Sequence, residues 1–182
     1  MNFVMSLWIL LIIWKVIKLP YEHIYNYYSQ KNCFNLEKIF VDDCEENNCK
    51  ISNPPNNCIL LDGDEIEKCL SGILDKSADR IIIKKNVGGN KLDIYVCELS
   101  HGKRNPKVIE NKIKNTANHI VSVINPSEFE INEFKCFYIG QYEDLYKGLM
   151  KKKSPVIKIN GLNINKIRIK RFNCGTSFDR LN

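Results

Sequence analysis

Two acids separated by a glycine turn are the residues best placed to do chemistry in this chain. Asp79 opens the run Asp79-Arg80-Ile81-Ile82-Ile83, and Glu98 lies near the end of the run from Leu92 to Leu99. The first run is short, apolar and β-branched, which predicts a buried strand. Asn86-Val87-Gly88-Gly89-Asn90 supplies residues that tolerate positive φ, so the chain can reverse between the two runs. Side chains alternate along a strand, so Ile94, Val96, Glu98 and Ser100 share a face, and Glu98 interrupts an otherwise apolar row. The hairpin would bring Asp79 and Glu98 together. Two carboxylates meeting at a sheet edge repel unless a cation stands between them. Mg²⁺ is the expected ion, since it takes a few carboxylate oxygens together with waters and phosphate.

An acid on one strand, Glu-x-Lys on the next and then a helix is the pattern of the PD-(D/E)XK nuclease-like superfamily. Roughly residues 58 to 140 resemble it, a domain-sized piece. The matching residues are Asp79 and Glu98-Leu99-Ser100, followed by a helix from about Pro106, where proline suits the first turn. The resemblance implies a restriction-endonuclease-like α/β fold, Mg²⁺ held by Asp79 and Glu98, and hydrolysis of phosphodiester bonds in nucleic acid. It also implies an acid from an upstream helix, for which Glu65 or Glu67 is the candidate. The family's lysine, which helps to orient or activate the attacking water, is replaced here by Ser100. Lys103 from the loop or Lys112 from the helix could take its place. Without such a substitute, the resemblance implies a silent domain that binds nucleic acid without cutting it.

The elements that must position these groups follow from local pattern. Cys58-Ile59-Leu60-Leu61 reads as a short strand; Leu74 to Asp79 leaves no room for a further one, so one core strand of the resembled order is either missing or supplied by residues 58–61. Asp64 is the expected N-cap of a helix from Glu65 to Leu74, with Ile66, Leu70 and Ile73 facing the core. Glu65 and Glu67 equally suit plain first-turn charges on that helix. From Pro106 to Ile124, Ile109, Ile113, Ala117, Ile120 and Ile124 form one helical stripe, with Lys107, Lys112 and Lys114 read as lying off it. Phe134 to Ile139 is the next strand, and Gln141 to Met150 reads as a short helix. His101, three residues past Glu98, is either a phosphate contact or a solvated loop residue.

The chain has 182 residues and a net charge of +6, and its 44% hydrophobic content excludes global disorder. The charge is uneven: residues 101–182 hold 16 basic and seven acidic side chains, which suits an anionic partner, nucleic acid before membrane headgroups. Residues 155–160 and 165–172 read as a hairpin turned by Gly161, with Lys166, Arg168 and Lys170 on one face and Ile167 and Ile169 on the other. Such a row either tracks a phosphate backbone or protects a sheet edge from aggregation. Together with Lys107 and Lys112, it forms the candidate nucleic-acid surface.

Residues 3–14 (FVMSLWILLIIW) are apolar apart from Ser6, and Lys15 and Lys18 follow. The run is short of the roughly 20 residues that span a bilayer. Extended to Leu19 by snorkelling lysines it becomes marginally sufficient, and those lysines would keep the rest of the chain cytoplasmic. The alternative is a helix packed on the domain or on a second subunit. Eight cysteines contain no CxxC pair, so zinc has no signature here. Cys97 and Cys136 fall in predicted strands as small buried hydrophobes. A disulfide among Cys33, Cys44, Cys49 and Cys58 is possible and would imply an oxidising compartment or a hyperthermophile. The organisation expected is a hydrophobic helix over 1–20, a Cys- and Asn-rich connecting segment over 21–57, and an α/β domain over 58–182. That domain is a mixed sheet flanked by helices, and its tail beyond Cys174 reads as poorly ordered.

Overall fold

Three consecutive isoleucines, Ile81 to Ile83, can all be buried only if a strand is covered on both faces. In the computed structural model each is at most 1% exposed. The structure describes residues 21–33, 35–46, 48–86, 89–100, 105–124, 127–140, 156–162 and 166–181. Residues 21–30 are helical (α1) and are followed by α2 (Leu36–Ile39) and a two-stranded pair, β1 (Glu45–Glu46) with β2 (Cys49–Lys50). The main sheet and its helices follow as β3 (Cys58–Asp62), α3 (Gly63–Cys69), β4 (Arg80–Lys85), β5 (Lys91–Ser100) and α4 (Pro106–Val123). The chain then forms β6 (Glu130–Gly140), β7 (Val156–Ile157) and β8 (Ile167–Phe172). A 3₁₀ turn over Phe178–Arg180 ends the described chain.

The protein is α/β, with a mixed six-stranded sheet in the order β3-β4-β5-β6-β8-β7. β3, β4 and β5 form an antiparallel meander, β6 lies parallel to β5, and β8 lies parallel to β6. A parallel neighbour needs a crossover, and α4 supplies it. Odd and even positions send side chains to opposite faces, so each face builds its own core. Ile81, Ile83, Ile94, Val96, Cys136, Tyr138 and Ile169 pack with Ile109, Ile113, Ala117 and Ile120 of α4 on one side. Ile82, Tyr95, Cys97, Leu99, Phe137 and Ile139 pack on the other with Cys44, Cys49, Phe178 and Leu181.

Several expectations from the sequence need correction. Helix α3 starts at Gly63, and its N-cap is Asp62, whose carboxylate accepts from Glu65 N at 2.9 Å; Asp64 lies inside the first turn. The helix ends at Cys69, so Ile73 is 73% exposed and faces solvent instead of the core. The tail beyond Cys174 is built into the molecule. Cys174 is disulfide-bonded to Cys49, Gly175 N donates to Lys50 O at 2.8 Å, and Phe178 and Leu181 are buried. The second disulfide joins Cys33 to Cys69, so each bond takes one partner from outside the four-cysteine set. Among the described residues no helix is long and apolar enough to cross a membrane. The apolar run at 3–14, the membrane contact expected of residues 1–20, the helix expected over 141–150, and His101 and Lys103 lie outside the described residues.

Candidate functional site

The hairpin pairing determines where the two acids meet. Arg80 pairs with Cys97 across β4 and β5, which sets Asp79 beside Glu98 and Leu99 at the end of the ladder. Asp79 and Glu98 are 2% and 0% exposed. The residue that joins them is Lys112 of α4. Its Nζ lies 3.1 Å from Asp79 Oδ1 and 3.1 and 3.0 Å from Glu98 Oε1 and Oε2. The second oxygen of Asp79 accepts from Leu99 N at 2.6 Å, which directs Oδ1 toward the lysine. Lys112 itself is 8% exposed. Its charge sets it off the apolar stripe in the sequence, yet its side chain is buried against the two acids. Position 112 follows Ile109 by three and precedes Thr116 by four, the spacing of the buried stripe.

The segment leading into Asp79 is pinned at every residue. Ser77 N donates to Glu67 Oε2 at 2.6 Å, and Ala78 N donates to Thr116 Oγ1 at 2.7 Å. Thr116 in turn donates to Lys112 O at 2.9 Å, so one hydroxyl ties the strand entry to the helix that carries the lysine. Asp79 O accepts from Gly63 N at 3.0 Å and from Arg80 Nη1 at 2.8 Å. Gly63 is needed here, because a Cβ at that position would overlap the Ala78 carbonyl. Arg80 points to the opposite face and forms a second buried charge cluster with Asp62 Oδ2 at 2.9 Å and Glu46 Oε2 at 3.3 Å.

Two carboxylates and one ammonium leave a formal charge of −1 in a buried place. Burial raises the Asp79 pKa above its ordinary value, against the opposing charge of Lys112 and the Leu99 N–H. Burial would lower the Lys112 pKa, but the charges of Asp79 and Glu98 and its hydrogen bonds to both outweigh it, so the ammonium is held above its ordinary value.

The chemistry of the donors suits Mg²⁺. Oxygens from two carboxylates already converge on a cationic atom, and Mg²⁺ needs few protein ligands beside waters and phosphate. Among the described residues no group of three or more His, Cys, Asp or Glu side chains converges as a metal site.

The other candidates lie elsewhere. Glu65 pairs with Lys68 Nζ at 2.6 Å, and Glu67 holds Ser77; the acid of α3 whose charge acts on Asp79 is Asp64. Ser100 is buried at 2% exposure, on the face of β5 shared with Glu98. Lys107, Lys166, Arg168 and Lys170 are exposed. Lys170 pairs with Phe137, so it and Arg168 project from the face opposite α4, away from the acids. Arg171, not singled out from the sequence, falls in the row Glu98–Tyr138–Arg171 and on the same face as Glu98.

The fold and site together define an α/β protein with a buried Asp–Lys–Glu cluster at one edge of a mixed sheet. Comparison with family models, curated proteins and solved structures finds no significant match to this chain.

Proposed function

We propose that the Asp79–Glu98–Lys112 cluster is the catalytic centre of an Mg²⁺-dependent phosphodiesterase that acts on nucleic acid, built on a restriction-endonuclease-like fold. The single observation that carries the reading is the Lys112 ammonium, within 3.1 Å of both acids and delivered by the helix after β5. It supplies the cation that Ser100 does not. The antiparallel meander β3-β4-β5, followed by α4 and the parallel β6, supports the same reading, with α3 inserted between β3 and β4.

Asp79 Oδ1 and the Glu98 carboxylate would hold the metal, which when bound polarises a phosphoryl oxygen and lowers the pKa of a coordinated water. The Leu99 N–H holds the Asp79 carboxylate, and the Gly63, Arg80 and Thr116 contacts hold the main chain that carries it, before substrate arrives; such preorganisation is what electrostatic stabilisation requires. Lys112 neutralises the pair when no metal is bound. With substrate present it offers three N–H donors to orient the attacking water or to meet charge developing on the phosphoryl oxygens. A divalent ion changes the local formal charge from −1 to +1, which favours an anionic phosphodiester.

The test is cleavage of labelled single- and double-stranded DNA and RNA with Mg²⁺ or Mn²⁺. Wild type is run beside Asp79→Ala, Glu98→Ala and Lys112→Gln. Cleavage by wild type that falls at least about 100-fold in each variant is the expected result. A folded wild type that cuts none of the four substrates refutes the catalytic reading, and the cluster would then be a structural ion network in a chain studied for binding.

A further inference from the structure

The strands β5, β6 and β8 run parallel, so their carboxyl ends lie along one edge of the sheet, and Asp79 enters antiparallel β4 at that same edge. Carboxyl ends of parallel strands are where open α/β sheets place ligands. Arg171 is two strands from Glu98 in the same row, about 10 Å away by interstrand spacing. Just beyond it lies a cavity of about 520 Å³ lined by Arg171, Asn173, Gly175, Thr176 and Arg180 together with Phe172 and Cys174. Among the described residues the lining includes Arg171 and Arg180 and no Asp or Glu.

The walls are built independently of any ligand. Cys174 is bonded to Cys49, Gly175 N donates to Lys50 O at 2.8 Å, and Ser52 N donates to Thr176 O at 2.9 Å. Phe178 N donates to Ser52 O at 2.9 Å, and the Phe178 ring is buried beneath the loop. A cavity held open in this way avoids much of the ordering cost of binding. The guanidinium fork matches phosphate oxygens in geometry as well as charge.

We infer that this cavity is a phosphate-binding site, set beside the Asp79–Glu98–Lys112 cluster to hold a second phosphate of the same polynucleotide. The phosphate chemistry stands on the cavity alone; the polynucleotide source rests on the function proposed above. The Arg168–Lys170 row on the other face of the sheet takes no part in it.

The test uses the full chain with both disulfides intact and no added metal. Calorimetry and equilibrium dialysis measure two probes, inorganic phosphate and a 5′-phosphorylated tetrathymidylate, with wild type, Arg171→Gln, Arg180→Gln and Arg171→Lys. Lys91→Gln, at the opposite end of β5, is the control. The expected result is at least a tenfold loss of oligonucleotide affinity in each glutamine variant, a smaller loss in Arg171→Lys, and none in the control. Arg180 is exposed, so its variant carries the test even if Arg171→Gln fails to fold. Equal binding of both probes by wild type and Arg180→Gln overturns the site. Arginine-dependent binding of inorganic phosphate, with the oligonucleotide no tighter, keeps the site but makes its ligand a small phosphate. Arginine-dependent oligonucleotide binding without cleavage keeps the site and removes the catalytic reading.

Discussion

Replacing Lys112 by Met keeps the length of the side chain and removes its charge, which leaves two buried carboxylates facing each other. Their side chains are 3% and 0% exposed and that of Lys112 is 10% exposed, so solvent screens the trio little. Removing one partner from a buried ion pair costs about 3–5 kcal/mol. Asp79 and Glu98 can relieve part of that by sharing a proton, which sets the expected loss at pH 7 at about 3 kcal/mol. For a chain of this size that is a fall in Tm of roughly 6–12 °C. Urea and thermal unfolding of wild type and Lys112→Met at pH 5 and pH 7 would measure it. The deficit should shrink at pH 5, where the shared proton is cheaper, and Glu98→Gln added to Lys112→Met should recover stability by removing one like charge. Mg²⁺ at a hundred times its Kd should restore about 2.7 kcal/mol to the variant. A deficit below about 1 kcal/mol at pH 7, or the same deficit at both pH values, would refute the placement of Lys112 between two ionised acids.

Three further outcomes are expected. Burial holds His119, whose Nε2 lies 3.1 Å from the Tyr28 hydroxyl, at a pKa of about 4. The unfolded chain therefore binds a proton between about pH 6.5 and pH 4 that the folded chain does not. Stability should fall as pH drops through that window, by up to about 3 kcal/mol, and His119→Gln should flatten the slope in acid-unfolding curves. Cys174→Ser opens a link across 125 residues and Cys69→Ser one across 36. The chain-entropy relation puts these at about 5 and about 4 kcal/mol, so denaturation midpoints should rank Cys174→Ser as the less stable. Gly63→Ala forces a Cβ onto the Ala78 carbonyl and should cost about 1–3 kcal/mol; because Asp79 follows directly, Mg²⁺-dependent cleavage should fall further than stability.

The elements around the acids were legible because their signals are local. A β-branched run, a turn rich in Gly and Asn, an alternating strand and a proline-started helical stripe each state their conformation within ten to twenty residues. β4, β5 and α4 accordingly lie where expected to within two residues. The α3 boundary was misread because three acids, Asp62, Asp64 and Glu65, all suit a helix start. Only the hydrogen bond from Glu65 N to Asp62 chooses among them.

Asp79 and Glu98 stood out in the sequence because an acid in an apolar row demands a counter-charge. What the sequence did not state is which counter-charge arrives. Its charge sets Lys112 off the apolar stripe, where a lysine is normally solvated, while the resemblance offers it beside Lys103 as a substitute for the missing lysine without choosing between them. Only the docking of α4 over β5 places two carboxylates against its Nζ and makes burial tolerable. The pairing of Cys49 with Cys174 and the alignment of Arg171 with Glu98 likewise depend on segments brought together from distant parts of the chain. Local periodicity determines which face a residue occupies; register between strands determines whom it meets, and that belongs to the tertiary structure.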